Sequence, residues 1–209
     1  MIRLQTIAQL VPKGSIVADI GTDHAQLPLF LREQSISPKV YAIDNKPGPL
    51  HQAYHNTKGV DGIILVLANG IEQLSDDVTT LVLAGMGGRT IVDILASIPG
   101  HVETILVSAH VAMPLVRETL VAKGFAIDAE TLVEEAAELY EITRFIRGSA
   151  VYSKADLVCG PLLRREQPPL WHRWLELKRA EATYKLSHIP ATDPKHAEVE
   201  ALLMIYNEQ

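Results

Sequence analysis

Over residues 15–108 the chain alternates five brief apolar segments with longer stretches of helical pattern, and few folds accept that rhythm. The apolar segments are residues 15–20 (SIVADI), 39–43 (KVYAI), 62–67 (GIILVL), 80–84 (TLVLA) and 103–108 (ETILVS). Each is short, rich in Val, Ile and Leu, and nearly continuous in hydrophobicity, as a strand covered on both faces must be. Helical patterns fall between them. Residues 25–34 follow Asp23-His24, where a carboxylate can cap a helix. Residues 86–97 follow a glycine cluster and stop before Pro99-Gly100, and residues 113–123 end at Gly124, a fitting C-cap. Strands alternating with helices specify a parallel, doubly wound α/β sheet.

After the fifth strand the rhythm changes. Residues 125–133 and 139–147 both read as strands, separated by the acidic stretch 134–138, so the parallel sheet acquires an antiparallel edge. The tail is helical. Pro168-Pro169 opens a helix over about 170–186, whose apolar side is Leu170, Trp171, Trp174, Leu175, Ala182 and Leu186. Residues 187–190 break it, and Asp193-Pro194 starts a second helix with Val199, Leu202, Leu203 and Tyr206 on one face. These two helices form a coiled-coil-like antiparallel hairpin. The expected division is a sheet domain over 1–160 and a helical hairpin over 161–209.

The chain has 209 residues, 47% of them apolar, enough to bury a core without staples. Its single cysteine, Cys159, excludes a disulfide framework and a multi-cysteine metal site. His51 and His55 lie four apart with no third ligand in sight, so no metal site is expected. No apolar run approaches the roughly 18–20 residues of a membrane span, and the expectation is a cytoplasmic protein with no membrane partner. The net charge is −6, which argues against tight nonspecific nucleic-acid binding. One stretch differs. Residues 164–187 hold six basic side chains (Arg164, Arg165, Arg173, Lys178, Arg179, Lys185) against three acidic ones, so an anionic partner is permitted there.

The chemistry concentrates at strand ends. The first strand runs into ADIGTDHAQLP, residues 18–28, with an acidic residue at the strand end and a glycine where the chain turns. This is not the glycine-rich cradle of a pyrophosphate, because Thr22 and Asp23 occupy the turn. Asp19 and Asp23 would repel a phosphate and attract an ammonium group. That preference points to S-adenosylmethionine, with its ammonium and its sulfonium. The second strand ends at Asp44-Asn45, where a carboxylate can accept ribose hydroxyls. The third leads to Asn69-Gly70, placing an amide near an adenine edge. The fourth ends in Gly85-Met86-Gly87-Gly88, and three glycines in four residues are costly unless the backbone must turn or admit something close.

Five β/α units closed by a hairpin follow the order of the seven-stranded, Rossmann-like class I methyltransferases. The stretches ADIGTDHAQLP, LAGMGGRTIVDIL, ELYEIT and CGPLLRRE, in this order and spacing, resemble the bacterial TrmK family of tRNA adenine-22 N1-methyltransferases. The resemblance covers nearly the whole chain. It implies S-adenosylmethionine as methyl donor and tRNA as partner. It places Asp19, Gly21, Asp23 and His24 along the methionine end, Asp44 at the ribose, and Gly85–Gly88 against the cofactor beside the substrate opening. The family pattern carries an aspartate where Asn69 stands, and Gln-Pro-Asn where this chain has Ser108-Ala109-His110. An asparagine keeps one acceptor for the adenine amino group. The catalytic candidates are Asp23, for its charge, and His110, to orient the base. A cofactor-binding module without methyl transfer, or a methyltransferase acting on another nucleic acid or a small molecule, are the alternative readings. The oligomeric state is left open.

Overall fold

The computed structural model describes residues 2–209, which gather into two compact units divided between Ala150 and Val151. The first unit runs α1 (Ile2–Leu10), β1 (Val17–Ile20), α2 (Gln26–Glu33), β2 (Val40–Asp44), α3 (Pro47–Thr57), β3 (Ile63–Leu67) and β4 (Thr80–Met86). It continues with α4 (Gly88–Ile94), β5 (Thr104–Ala109), α5 (Met113–Ala122), β6 (Phe125–Glu135) and β7 (Glu138–Arg147). The seven strands form one sheet in the order β3-β2-β1-β4-β5-β7-β6. The first five pair in parallel and β7 pairs antiparallel with β5 and β6, the topology the sequence led us to expect.

Alternation sets the two faces. Val17, Val40, Val82 and Leu106 point to one side, where they join Ile7, Val11, Leu27 and Leu31 of α1, the loop after it and α2 in a single apolar cluster. Leu81, Leu83 and Ile105 point to the other side and are wholly buried. The strand reversal β1→β4 lies at the middle of the sheet, and the carboxyl ends of the strands diverge there to leave a crevice.

Three local expectations change. The helix expected from Met86 begins only at Gly88, because β4 continues through Gly85 and Met86 to stay paired with β5, with a register shift between Ala84 and Met86. Asp23 does not cap α2. The N-cap is Ala25, in the left-handed conformation, with no side-chain cap. The hairpin strands run farther than expected, to Glu135 and from Glu138, around a two-residue turn in which Ala136 and Ala137 both have positive φ. That geometry matches the right-handed twist of the flanking strands. The amino-terminal helix α1 was not anticipated, since its apolar face is short.

The second unit holds α6 (Lys154–Cys159), α7 (Pro161–Glu166), α8 (Trp171–His188) and α9 (Pro194–Asn207). It begins at Val151, earlier than the boundary expected at 160/161. Ser153 and Asp156 form a capping box that starts α6, and Arg164 of α7 reaches back to Asp156. The prolines 168–169 precede α8 in a turn, so α8 opens at Trp171. Asp193 caps α9 as expected, accepting from the Lys195 amide, with Pro194 at the first helical position. Trp171 and Trp174 stack on each other, centroids 5.2 Å apart, and are buried, which assigns them to packing. No helix among the described residues is long and apolar enough to cross a membrane.

Candidate active site

The carboxyl ends of β1, β2 and β4 and the turn after β3 open on one cleft of about 930 Å³. A smaller recess of about 190 Å³ adjoins it, and Gly21 and Asp23 line both. The larger cleft takes in Asp44, Asn45, Asn69, Gly70 and Met86, and the recess takes in Asp19, His24 and Gly85. Residues from four separate strand ends are thus brought to one continuous cavity.

Asp19 is the most unusual member. It closes β1, is 6% exposed, and accepts a 2.7 Å hydrogen bond from the Thr22 hydroxyl. Burial raises its pKa from 3.8 to about 6; the Thr22 bond opposes the rise and the charge of Asp44 adds to it. No basic side chain enters that balance. Asp23 follows at φ 52, a left-handed conformation that aspartate tolerates better than most residues. Its carboxylate, 68% exposed, lies 3.6 Å from His24 Nε2.

Asp44 stands half-buried at the end of β2, one oxygen accepting from the Lys46 amide at 2.9 Å. That bond fixes the carboxylate at the cleft wall. Asn69 donates through Nδ2 to Glu72 at 3.1 Å, and Glu72 lines the same cleft. With its amino group committed, the asparagine offers its carbonyl oxygen as an acceptor. Sequence reasoning missed Glu72, although its three-residue spacing from Asn69 was visible.

The glycine cluster divides into two roles. Gly85 adopts φ +81 and lines the recess. Gly87 and Gly88, expected against the cofactor, line neither cavity. A Cβ on Gly88 would come within 2.6 Å of the Ala112 carbonyl oxygen, so Gly88 is required by the close approach of the β5–α5 loop. The Gly88 amide donates to the Val111 carbonyl and the His110 amide to that of Met86, tying the two loops together. His110 lies outside both cavities but near the recess. Its Nε2 is 4.0 Å from where a Cβ on Gly85 would stand, and its ring meets Tyr140 edgewise at 6.1 Å. The histidines His51 and His55 contact each other at 4.6 Å, and among the described residues no three metal-ligating side chains cluster.

A family model described as a methyltransferase domain matches residues 1–143. The chain belongs to this methyltransferase-domain family. It is also similar to the tRNA (adenine(22)-N(1))-methyltransferase of Bacillus subtilis, 28% identical over 199 residues, covering 88% of this chain and 83% of that one. Among solved structures, a Rossmann-superfamily protein of Streptococcus agalactiae superposes with a TM-score of 0.92 at 29% identity, covering 100% of this chain and 96% of that one. A Streptococcus pneumoniae protein in complex with S-adenosyl-L-methionine superposes with a TM-score of 0.89 at 29% identity, covering 100% of this chain and 98% of that one. The resemblance drawn from ADIGTDHAQLP and the Gly85–Gly88 turn therefore holds along the full length.

Proposed function

We propose that the chain transfers a methyl group from S-adenosylmethionine to ring nitrogen 1 of an adenine in tRNA, with adenine 22 the expected position by analogy with the Bacillus subtilis relative. The observation that carries this reading is the buried Asp19, raised to about 6 and continuous through Gly21 and Asp23 with the Asp44–Asn69 cleft. A ligand with an ammonium at one end and an adenosine at the other fits that sequence of groups. S-adenosylmethionine supplies an electrophilic methyl group on a sulfonium.

Asp19 and Asp23 hold the ammonium, Asp44 accepts ribose hydroxyls, and the Asn69 carbonyl accepts from the adenine amino group. The acceptor nitrogen of neutral adenine has no proton to lose, so no strong base is needed. The protein's task is alignment and the exclusion of water. The methylated ring is cationic, and the exposed Asp23 carboxylate at the junction of the two cavities favours that charge as it develops. His110, beside Gly85 and against Tyr140, orients the base, which must leave its stack to reach the site.

The helical unit serves the RNA. Arg173 stands exposed on α8, and Lys178 lies near the Trp174 ring on the same helix. Neutralising Arg173 and Lys178 together should weaken tRNA binding and flatten its salt dependence by about one to two in log–log slope, leaving cofactor affinity intact.

Labelled S-adenosylmethionine incubated with bacterial tRNA, followed by mapping of the modified nucleotide, tests the activity. Label at ring nitrogen 1 of adenine 22 is the expected result. Label elsewhere would move the substrate, and cofactor binding without transfer would make the chain a binding module.

A further inference from the structure

Helix α3 buries Leu50, Ala53 and Thr57. Its other face carries His51, Tyr54 and His55, all exposed, Tyr54 by 57%. The three rings touch in sequence. His51 meets His55 edgewise with centroids 4.6 Å apart, and Tyr54 meets His55 edgewise at 5.7 Å. One exposed ring on a protein surface is ordinary, but three in mutual contact form a patch that packing does not require.

The charge around the patch suits an anionic partner. No aspartate or glutamate occurs between Asp44 and Asp61, and the exposed Lys46 and Lys58 flank the helix, in a chain whose net charge is −6. The patch is also continuous with the candidate active site. Lys46 and Pro49, at the start of α3, line the larger cleft. Farther along, Asn56 Nδ2 donates to the His24 carbonyl at 3.0 Å, beside the recess that His24 lines. An adenine drawn out of its stack leaves its neighbours with a bare base face. Exposed rings beside cations are the kind of surface on which such unpaired bases stack, whatever their sequence.

We infer that His51, Tyr54 and His55 form a stacking platform for unpaired nucleotides of the tRNA beside the adenine that is methylated, with Lys58 reaching their phosphates. This rests on the tRNA reading above and adds to it a second RNA contact, carried by the sheet unit itself. None of the three rings lines either cavity. The platform therefore grips the RNA and takes no part in cofactor binding or methyl transfer.

Steady-state methyl transfer to bacterial tRNA, with calorimetry on S-adenosylhomocysteine alongside, tests it. His51→Ala, Tyr54→Ala and His55→Ala combined should raise KM for tRNA about tenfold or more, while kcat and affinity for S-adenosylhomocysteine stay within about twofold of wild type. Tyr54→Phe, which keeps the ring, should behave as wild type, whereas Tyr54→Ala alone should reproduce part of the loss. Lys58→Gln should flatten the log–log salt dependence of tRNA binding by about 0.7, and Tyr54→Ala should leave that slope unchanged. The melting temperature of each variant reports that it is folded. An unchanged KM for tRNA in the combined variant overturns the platform. So does an equal loss of cofactor affinity, which would mean that α3 only shapes the cleft wall, or a change in the sedimentation of the free protein, which would assign this face to a second copy of the chain. A wild-type protein that neither binds nor methylates tRNA would overturn the tRNA reading and the platform with it, a result distinct from the others.

Discussion

Two places in the sheet unit bury charge, and they treat it in opposite ways. On the hairpin side, Arg117 of α5 is fully buried. It bonds Glu130 of β6 and Glu141 of β7 at 2.9 Å each, with the Thr143 hydroxyl also on Glu130 at 3.2 Å. Burial alone would lower the Arg117 pKa, but the two carboxylates more than reverse that, and the guanidinium stays firmly charged. At the end of β1, Asp19 is almost as deeply buried and has one hydroxyl for company. The first arrangement closes on itself and joins α5 to the antiparallel edge. The second is left incomplete where the strands diverge. A buried charge with its full complement of partners strengthens the fold, and one without them costs it stability.

Removing the cation from the closed site should have the largest effect. Arg117→Leu leaves Glu130 and Glu141 buried together, and chemical denaturation should show a loss of about 3–5 kcal/mol. A loss below about 1 kcal/mol would erase the contrast between the two sites.

Asp19→Asn should do the reverse. The folded pKa of Asp19 is raised from 3.8 to about 6, so the folded protein holds a proton that the unfolded chain has released. Stability from this group is therefore complete below about pH 4 and is lost as pH rises through about 6. At pH 7 the amide should stabilise the protein without ligand by about 3 kcal/mol, an advantage that disappears by pH 4. The same variant should bind S-adenosylhomocysteine weakly. For the native chain, cofactor affinity should fall as pH drops below about 6, because a protonated Asp19 no longer attracts the ammonium. A pH-independent affinity would detach Asp19 from the ligand.

Asp44 separates binding from stability on the exposed side of the cleft. Asp44→Ala should weaken cofactor binding by more than ~1 kcal/mol while the unfolding midpoint hardly moves. Thr22→Val should give the smallest change, about 1 kcal/mol in stability at neutral pH. It removes the bond that favours the ionised carboxylate, so the pH at which cofactor affinity falls off should shift upward.

Much of this was written in the order of residues. Five apolar runs separated by helical pattern and closed by a hairpin specify the sheet, since buried parallel strands must be continuously apolar and a parallel connection requires a crossover. The strand-end residues Asp19, Asp44 and Asn69 were legible for the same reason: topology alone puts the carboxyl ends of neighbouring strands at one edge. Even the division of labour in the tail, with Trp171 and Trp174 packed inward, follows from helical spacing.

Tertiary structure decided the rest. Arg117 stands at a core position of α5 with Met113, Val116 and Leu120, a visible irregularity whose partners lie 13 and 24 residues away on two other strands. Gly88 reads like Gly85 in sequence, but one faces the β5–α5 loop and the other a recess, because a register shift between Ala84 and Met86 separates them. Arg3 gives no local signal, yet it stacks on Tyr140, more than a hundred residues on, and lines the recess with Asp19. Periodicity fixes which face of an element is buried, whereas whether a buried charge has a partner depends on distances between elements remote in the chain.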